Sequence, residues 1–421
     1  MKVIVVGAGI GGLGAAIALN RAGHDVEVYE SSSFLNEVGA AIHLAPNATR
    51  VLKSWDCSFE TMFPVECEAV RAYSKNLKLL RTVSSMKMGQ EKLGITDPWL
   101  MVHRVDLHNG LRSLASRGFQ GRPVNIHLNS KVESVNAETG EVHFQDGRTV
   151  RGDLVVGADG LHSQTIQAVL DNGRDKISTG QKVFRFLVPV EKANTNPSVK
   201  NLVNRLGLNQ TSVIGPPRGR LIIYPCRSGT LLNCGFLTFA TQAEDLTGRE
   251  SSWLDAGNVE DLVGYLDGFD DGVRELCKMG EDLKLWSLMT RDPPPTYVKG
   301  KLALIGDAAH PMLPRYLDQG QGGAQALEDA ATLGALFGAD TAPGQVNDLL
   351  NIYNEVRYEH TVIICITSRV GQDIRSQVLN DLRRFLPNAT ITENPALDAW
   401  SSYPVREVER LLALRRNEKA L

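Results

Sequence analysis

Three carboxylates that follow apolar runs, Glu30, Asp159 and Asp307, and the glycines clustered near them have the types and spacing to do chemistry. Gly7-Ala8-Gly9-Ile10-Gly11-Gly12 carries the spacing G-x-G-x-x-G. Such glycines permit a tight turn and let backbone N–H groups approach a pyrophosphate at the positive end of a helix. Glu30 stands 18 residues after Gly12, where a carboxylate can accept hydrogen bonds from a ribose diol. An acid there disfavours a 2′-phosphate, so the pattern points to FAD or NAD rather than NADP. Asp159 lies in Gly157-Ala158-Asp159-Gly160 and Asp307 follows Gly306. Taken alone, the first of these is equally well an Asp-Gly turn closing a strand. Beyond Asp307 come prolines and then Gly320-Gln321-Gly322-Gly323, which opens a helix whose positive end would stabilise electron-rich or anionic groups.

The elements that must position these residues can be read from periodicity. The first thirty residues read strand Val3–Val6, glycine turn, helix to about Ala22, then the strand DVEVYE. Between Asn125 and Asp159 the pattern becomes short strands with turn signals, including Asp146-Gly147. Residues 179–190, 211–226 and 230–240 read as strands of a separate, mostly antiparallel sheet. Residues 259–282 read as helical, KGKLALIGD returns to a buried strand, and most of 322–385 is helical. The expected class is α/β, a Rossmann-like domain interrupted by a substrate-side sheet and followed by a helical C-terminal region. The expected boundaries are 1–75, 100–175 and 285–345 for the dinucleotide domain, 76–99 and 176–284 for the sheet domain, and 346–421 for the tail.

Composition bounds the partners. The 421 residues are 43% hydrophobic and 22% charged, with a formal charge of −3, ordinary for a soluble globular chain and lacking the basic excess of a nucleic-acid binder. Six cysteines show no C-x-x-C pair or zinc-like cluster and read as free thiols in a reducing compartment, with no metal expected. The apolar N-terminal run contains five glycines, which argues against a secretory signal. No run is long enough to span a membrane, and a cytoplasmic location is expected.

The segments VVGAGIGGLGAAIAL, VGAAIHLAPNATRVL, HRVDLH, VVGADGLHS, YPCR and LIGDAAHPMLP…GQGGAQALEDA occur in this order from residue 2 to about residue 337. Together they resemble the single-component FAD-dependent aromatic hydroxylases, in the salicylate-hydroxylase-like branch. The resemblance implies FAD as cofactor and NADPH or NADH as a transient reductant that needs no Rossmann domain of its own. It further implies reaction with O2 to a flavin hydroperoxide, and oxygen transfer to a phenolic or indole-like small molecule. Gly7, Gly9, Gly12 and Glu30 would hold the adenosine half. Arg104 would lie near the pyrophosphate or ribityl chain, and Asp159 would support the FAD and the approach of the nicotinamide. Asp307 would bind ribityl hydroxyls, while Pro314, Gly320, Gly322 and Gly323 would line the flavin ring.

On the substrate side, Arg185 sits among apolar residues in VFRFLVPV, where a positive charge needs a partner or a ligand. Tyr224 precedes Pro225, and His43 lies in the segment that such proteins run beneath the flavin. Related hydroxylases use an arginine and a tyrosine on corresponding strands to anchor a phenolate or a basic substrate. The plainer readings are an ion-paired arginine, a core tyrosine and a satisfied loop histidine. Arg227 reads as half of a structural ion pair and His310 as structural. Two departures stand out: Gln164, Thr165 and Ile166 follow Ser163 where the family often has an arginine, and Arg315–Gln319 lengthen the link from Pro314 to the glycine turn. The same flavin chemistry could end in epoxidation, or in dearomatising or decarboxylative hydroxylation. A W-x-W-x-I-P halogenase element is absent. A non-enzymatic nucleotide-binding protein is the reading from another class.

Overall fold

The computed structural model describes residues 1–33, 40–170, 176–239, 256–313, 320–369, 375–392 and 394–419. Pro314 and the Arg315–Gln319 stretch lie outside the described residues. The β-branched run Lys2–Val6 is buried almost throughout, as a central parallel strand must be. It pairs in parallel with Asp25–Tyr29 on one side and Leu154–Gly157 on the other. Asn125–His127 extends the sheet beyond Asp25–Tyr29, Leu302–Leu304 extends it beyond Leu154–Gly157, and Val298–Lys299 closes that edge antiparallel. The glycine turn, the Asp159 turn and the Asp307 turn therefore leave the same end of three adjacent parallel strands, where open α/β sheets bind their ligands.

The helix Ile10–Arg21 that follows the first turn packs on the helix Gln321–Leu336 that follows the last one. Small residues permit the close approach. A Cβ on Gly11 would come 3.2 Å from the Ala326 Cβ, and one on Gly14 would come 3.1 Å from Leu327 Cδ2 and 3.3 Å from the Ala330 Cβ. Two turns three hundred residues apart in sequence are thereby fixed relative to each other.

The second large sheet has seven strands in the order Glu281–Thr290, Ile177–Pro189, Leu231–Phe239, Arg220–Cys226, Gln210–Ile214, Ala69–Tyr73 and Leu79–Ser85. All neighbours are antiparallel except Gln210–Ile214 with Ala69–Tyr73. The sheet thus takes in Ala69–Tyr73 and runs to Thr290, past the expected boundaries at 75 and 284. Along Ile177–Pro189 the faces alternate. Phe184, Phe186 and Val188 enter a core under the helices Pro197–Leu206 and Asp271–Lys278, whereas Val183 and Arg185 face the opposite way, into a cavity. A small sheet of Ala41–Leu44, Leu100–His103 and Val65–Glu66 joins the two large ones. TVIICIT lies inside the long helix Val346–Arg369, and no helix among the described residues is long and apolar enough to cross a membrane.

Candidate active site

The first turn has the shape of an anion cradle. Gly7 adopts φ +98°, and a Cβ there would lie 2.5 Å from the Ala158 carbonyl oxygen, so only glycine fits where the first and second turns touch. A Cβ on Gly12 would strike the Gly7 oxygen at 1.9 Å, whereas one on Gly9 would meet nothing within 4 Å. Gly9 caps the helix Ile10–Arg21 without a side-chain hydrogen bond, leaving the first amides available to a ligand. Glu30 accepts the Ala8 N–H on Oε2 at 2.8 Å and the Ser32 N–H on Oε1 at 2.7 Å. His108 donates from Nε2 to the Ala8 oxygen at 2.7 Å. These contacts hold the turn from two sides, with Glu30 beside it.

Asp159 is held differently from the expectation. Its Oδ1 accepts from Ser163 Oγ at 2.7 Å and Thr165 Oγ1 at 2.6 Å, and its Oδ2 accepts from the amides of Gln164 at 2.7 Å and Thr165 at 2.9 Å. Four donors within six residues saturate the carboxylate, so Asp159 ties its own loop and has no free lone-pair direction for a direct ligand contact. Gln164 and Thr165, which stand near the position of the family's arginine, supply part of that tie. The plainer Asp-Gly turn reading describes this side chain.

Asp307 is the contrasting case. It follows Gly306 at φ +57°, opens onto the cleft, and has no hydrogen-bond partner among the described residues. Desolvation by the surrounding walls raises its carboxyl above the ordinary value, while His310, Arg104 and Arg291 pull it down. Arg104 begins the helix Arg104–Arg117, its own N–H bonded to the Ala40 oxygen at 2.9 Å, and its charge acts on both Asp307 and Arg185. Arg291, buried between the second and third turns, donates from Nη1 to the Ala308 oxygen at 3.3 Å and from Nη2 to the Leu161 oxygen. Sequence reading overlooked this clasp; its trace is a lone arginine before Asp292 and three prolines.

Beneath Asp307 lies a buried polar network. Asp329 accepts the Gly306 N–H at 2.9 Å, His310 Nε2 at 2.7 Å and Arg357 Nε at 2.7 Å. Arg357, fully buried, also donates to Glu328 Oε2 at 3.0 Å and Gln325 Oε1 at 2.6 Å. Gln325 donates to Gln321 Oε1 at 2.9 Å, and Asn47 joins Gln321 to Glu328. The third turn and the start of the glycine-turn helix are therefore braced by one continuous set of hydrogen bonds. His310 is structural, as read from the sequence.

A cavity of about 220 Å³ lies between the seven-stranded sheet, the strand Ala41–Leu44 and the Gly320–Gly323 turn. Gly320 adopts φ +73°, and a Cβ there would lie 2.7 Å from the His43 Cβ, so the turn sits tightly on that strand. Gln321, Gly322 and Gly323 begin a helix with no side-chain cap and line the cavity with its positive end. Arg185 enters from the sheet with its guanidinium over the Trp286 ring, 4.7 Å from the centroid. It has no carboxylate or hydrogen-bond partner among the described residues. Desolvation, with the charge of Arg104, lowers its pKa, and Tyr224 opposes the shift.

Tyr224 and His43 also line the cavity; the Tyr224 hydroxyl and His43 Nε2 are engaged, whereas His43 Nδ1 is buried without a partner among the described residues. The Tyr224 hydroxyl donates to the Ala41 oxygen at 2.7 Å, and burial raises its pKa. The expected donor to a phenolate is therefore committed to the backbone, as a buried hydroxyl requires a partner. His43 Nε2 meets Thr211 Oγ1 at 3.1 Å, and burial pushes the imidazole down to about 3. It is neutral at physiological pH and serves as a wall between Tyr224 and Trp99. Arg227 makes the expected ion pair, bidentate to Asp106 at 2.8 and 2.9 Å. Asn233, absent from the sequence reading, lines the cavity and accepts the Ala41 N–H on Oδ1 at 3.0 Å.

Residues 5–50 match the NAD(P)-binding Rossmann-like domain family. The chain is 33% identical over 395 residues to the FAD-dependent monooxygenase cfoG of Aspergillus candidus, covering 92% of this chain and 88% of that one. It is 32% identical over 381 residues to hispidin-3-hydroxylase of Neonothopanus nambi, covering 87% of each chain. The solved substrate complex of a salicylate hydroxylase superposes with a TM-score of 0.71 at 21% identity, covering 96% of this chain and 98% of that one, which shows the shared fold. Near-complete coverage at this identity, on a chain whose turns are built as described, establishes that it belongs to the FAD-dependent aromatic hydroxylase family.

Proposed function

We propose that this protein holds FAD across its turns and uses NAD(P)H and O2 to hydroxylate an electron-rich aromatic small molecule, phenolic or indole-like, in the cavity beside Arg185. The observation that carries the reading is the Arg185 guanidinium, which has no anionic partner among the described residues and is the charged side chain in the lining of the cavity against the Gly320–Gly323 turn. A half-buried cation with no anionic partner among the described residues is stabilised by a ligand anion, and an arene bearing a phenolate or carboxylate would supply one.

The cradle fits the cofactor. The open Gly9 position and uncapped helix start suit a pyrophosphate, Glu30 suits a ribose, and Asp307, without a hydrogen-bond partner among the described residues, suits the hydroxyls of a ribityl chain. Gly320, Gly322 and Gly323 leave room for a flat ring, and Arg104, whose charge acts on Asp307, suits the phosphate or ribityl chain. Pro314 remains part of the proposed ring site through the resemblance alone. FAD, when bound, supplies the activation of O2 that places one oxygen atom on the ring. The chain's own residues would orient and exclude water: Arg185 would fix the substrate's oxyanion and keep it electron-rich, and the Gly320–Gly323 helix start would stabilise negative charge on a bound flavin. Neutral His43 and the engaged Tyr224 act as walls and take no proton.

Replacing Arg185 tests the reading. Arg185→Ala should retain FAD, raise KM for an anionic phenol about ten- to hundredfold, as expected for losing a charged hydrogen bond, and divert NAD(P)H oxidation from product. Unchanged KM and unchanged product per NAD(P)H would return Arg185 to a structural role.

A further inference from the structure

A glycine in a strand interior calls for an explanation, since it weakens the strand and packs nothing. Other glycines of the site have one. A Cβ would approach an existing atom to 2.5 Å at Gly7, 2.2 Å at Gly157 and 2.7 Å at Gly320. Gly235, in the middle of Leu231–Phe239, has none of this kind. Its φ is not in the left-handed region, and a Cβ would meet only Val183 Cγ2, at 3.8 Å. Yet Gly235 is buried and lines the cavity. Neither backbone conformation nor protein packing requires glycine here; the open space above it does.

The surroundings of that space are chemically specific. Gly235 pairs directly with Arg185 on one neighbouring strand and with Ile222 on the other. Asn233, two residues earlier and on the same face, is 3% exposed. With its Oδ1 fixed on Ala41, its Nδ2 has no partner among the described residues. A guanidinium and an amide thus stand beside a side-chain-sized gap floored by backbone and flanked by Val183 and Ile222.

Building on the proposed function, we propose that Gly235 determines specificity: its gap receives the planar side arm of an aromatic anion whose oxyanion is held by Arg185 and by Asn233 Nδ2. The substrate class is a hydroxylated arene carrying an unsaturated or apolar extension, larger than a simple hydroxybenzoate.

Calorimetric titration of the FAD-loaded full chain with 4-hydroxybenzoate and 4-hydroxycinnamate tests this. The wild type should bind 4-hydroxycinnamate at least tenfold more tightly. Gly235→Val should abolish that preference and Gly235→Ala should halve it or more, with FAD content and melting temperature retained, because a β-branched residue suits a strand and has space there. Asn233→Asp, which keeps the acceptor for Ala41 but replaces the donor by a carboxylate, should weaken both probes at least tenfold. An absent preference in the wild type, failure of both probes to bind, or an equal loss of both probes in Gly235→Val would overturn the role of Gly235. Unchanged affinity in Asn233→Asp would remove Asn233 from the site. These failures differ from that of the parent reading, in which the wild type would take up no FAD or no phenol would accelerate its NAD(P)H oxidation.

Discussion

Asp159 and Asp307 begin from the same sequence context, a carboxylate after an apolar strand, and end in opposite states. Asp159 is saturated by four donors of its own loop, whereas Asp307 has none among the described residues. Sequence alone left Asp159 evenly between a cofactor contact and an Asp-Gly turn, because the residues that satisfy it are ordinary serine, threonine and glutamine. The consequence is a difference in what each substitution does. Asp307→Ala should lower FAD affinity about ten- to hundredfold, the loss expected for a hydrogen bond to a charged group, with little change in the melting temperature of the apoprotein. Flavin retained in full after dialysis would remove Asp307 from the cofactor site. Tyr224 and Asn233 teach the same lesson: both act on Ala41, 183 and 192 residues away in sequence, and no local pattern announces such a partner.

The strands and turns were legible because their signals are local. The β-branched run before Gly7, the Asp-Gly turns and the glycine-rich helix start each carry their own chemistry within a few residues. What was not legible is how elements brace each other. The helix Gln321–Leu336 presents Glu328 and Asp329 to Arg357 of the helix Val346–Arg369, which reads on its own as a charged residue in an ordinary amphipathic pattern. In this network Asp329 keeps the charge: burial would raise it, but His310 and Arg357 hold it below the usual carboxylate range. Burial pushes Glu328 up to about 7, against the pull of Arg357 and Asn47. A carboxyl raised on folding favours the native state when protonated, so that stability is full below its ordinary 4.5 and is lost as pH rises through about 7. Glu328→Gln cannot ionise and should escape this loss. Its melting temperature relative to wild type should therefore rise by a few degrees from pH 5 to pH 8, and a difference that stays constant would show that Glu328 does not titrate in that window.

The parallel sheet, the close pair of helices and the seven-stranded sheet together place three turns at one end and a cation-bearing cavity against the last of them. The fold class could be read from the order of elements, since an α/β start, a β-rich middle and a helical return admit few arrangements. The pocket could not, because its walls come from residues 41 to 323 and its most informative member, Gly235, is defined by a side chain it lacks. The most direct test of the proposed chemistry is isotopic. FAD-loaded protein is supplied with NAD(P)H, a panel of hydroxylated arenes and ¹⁸O-labelled dioxygen in unlabelled water, and product masses are recorded. The expected result is a product that gains one labelled oxygen atom and depends on both FAD and NAD(P)H; a product labelled only from water, or a chain that takes up no FAD, would contradict it.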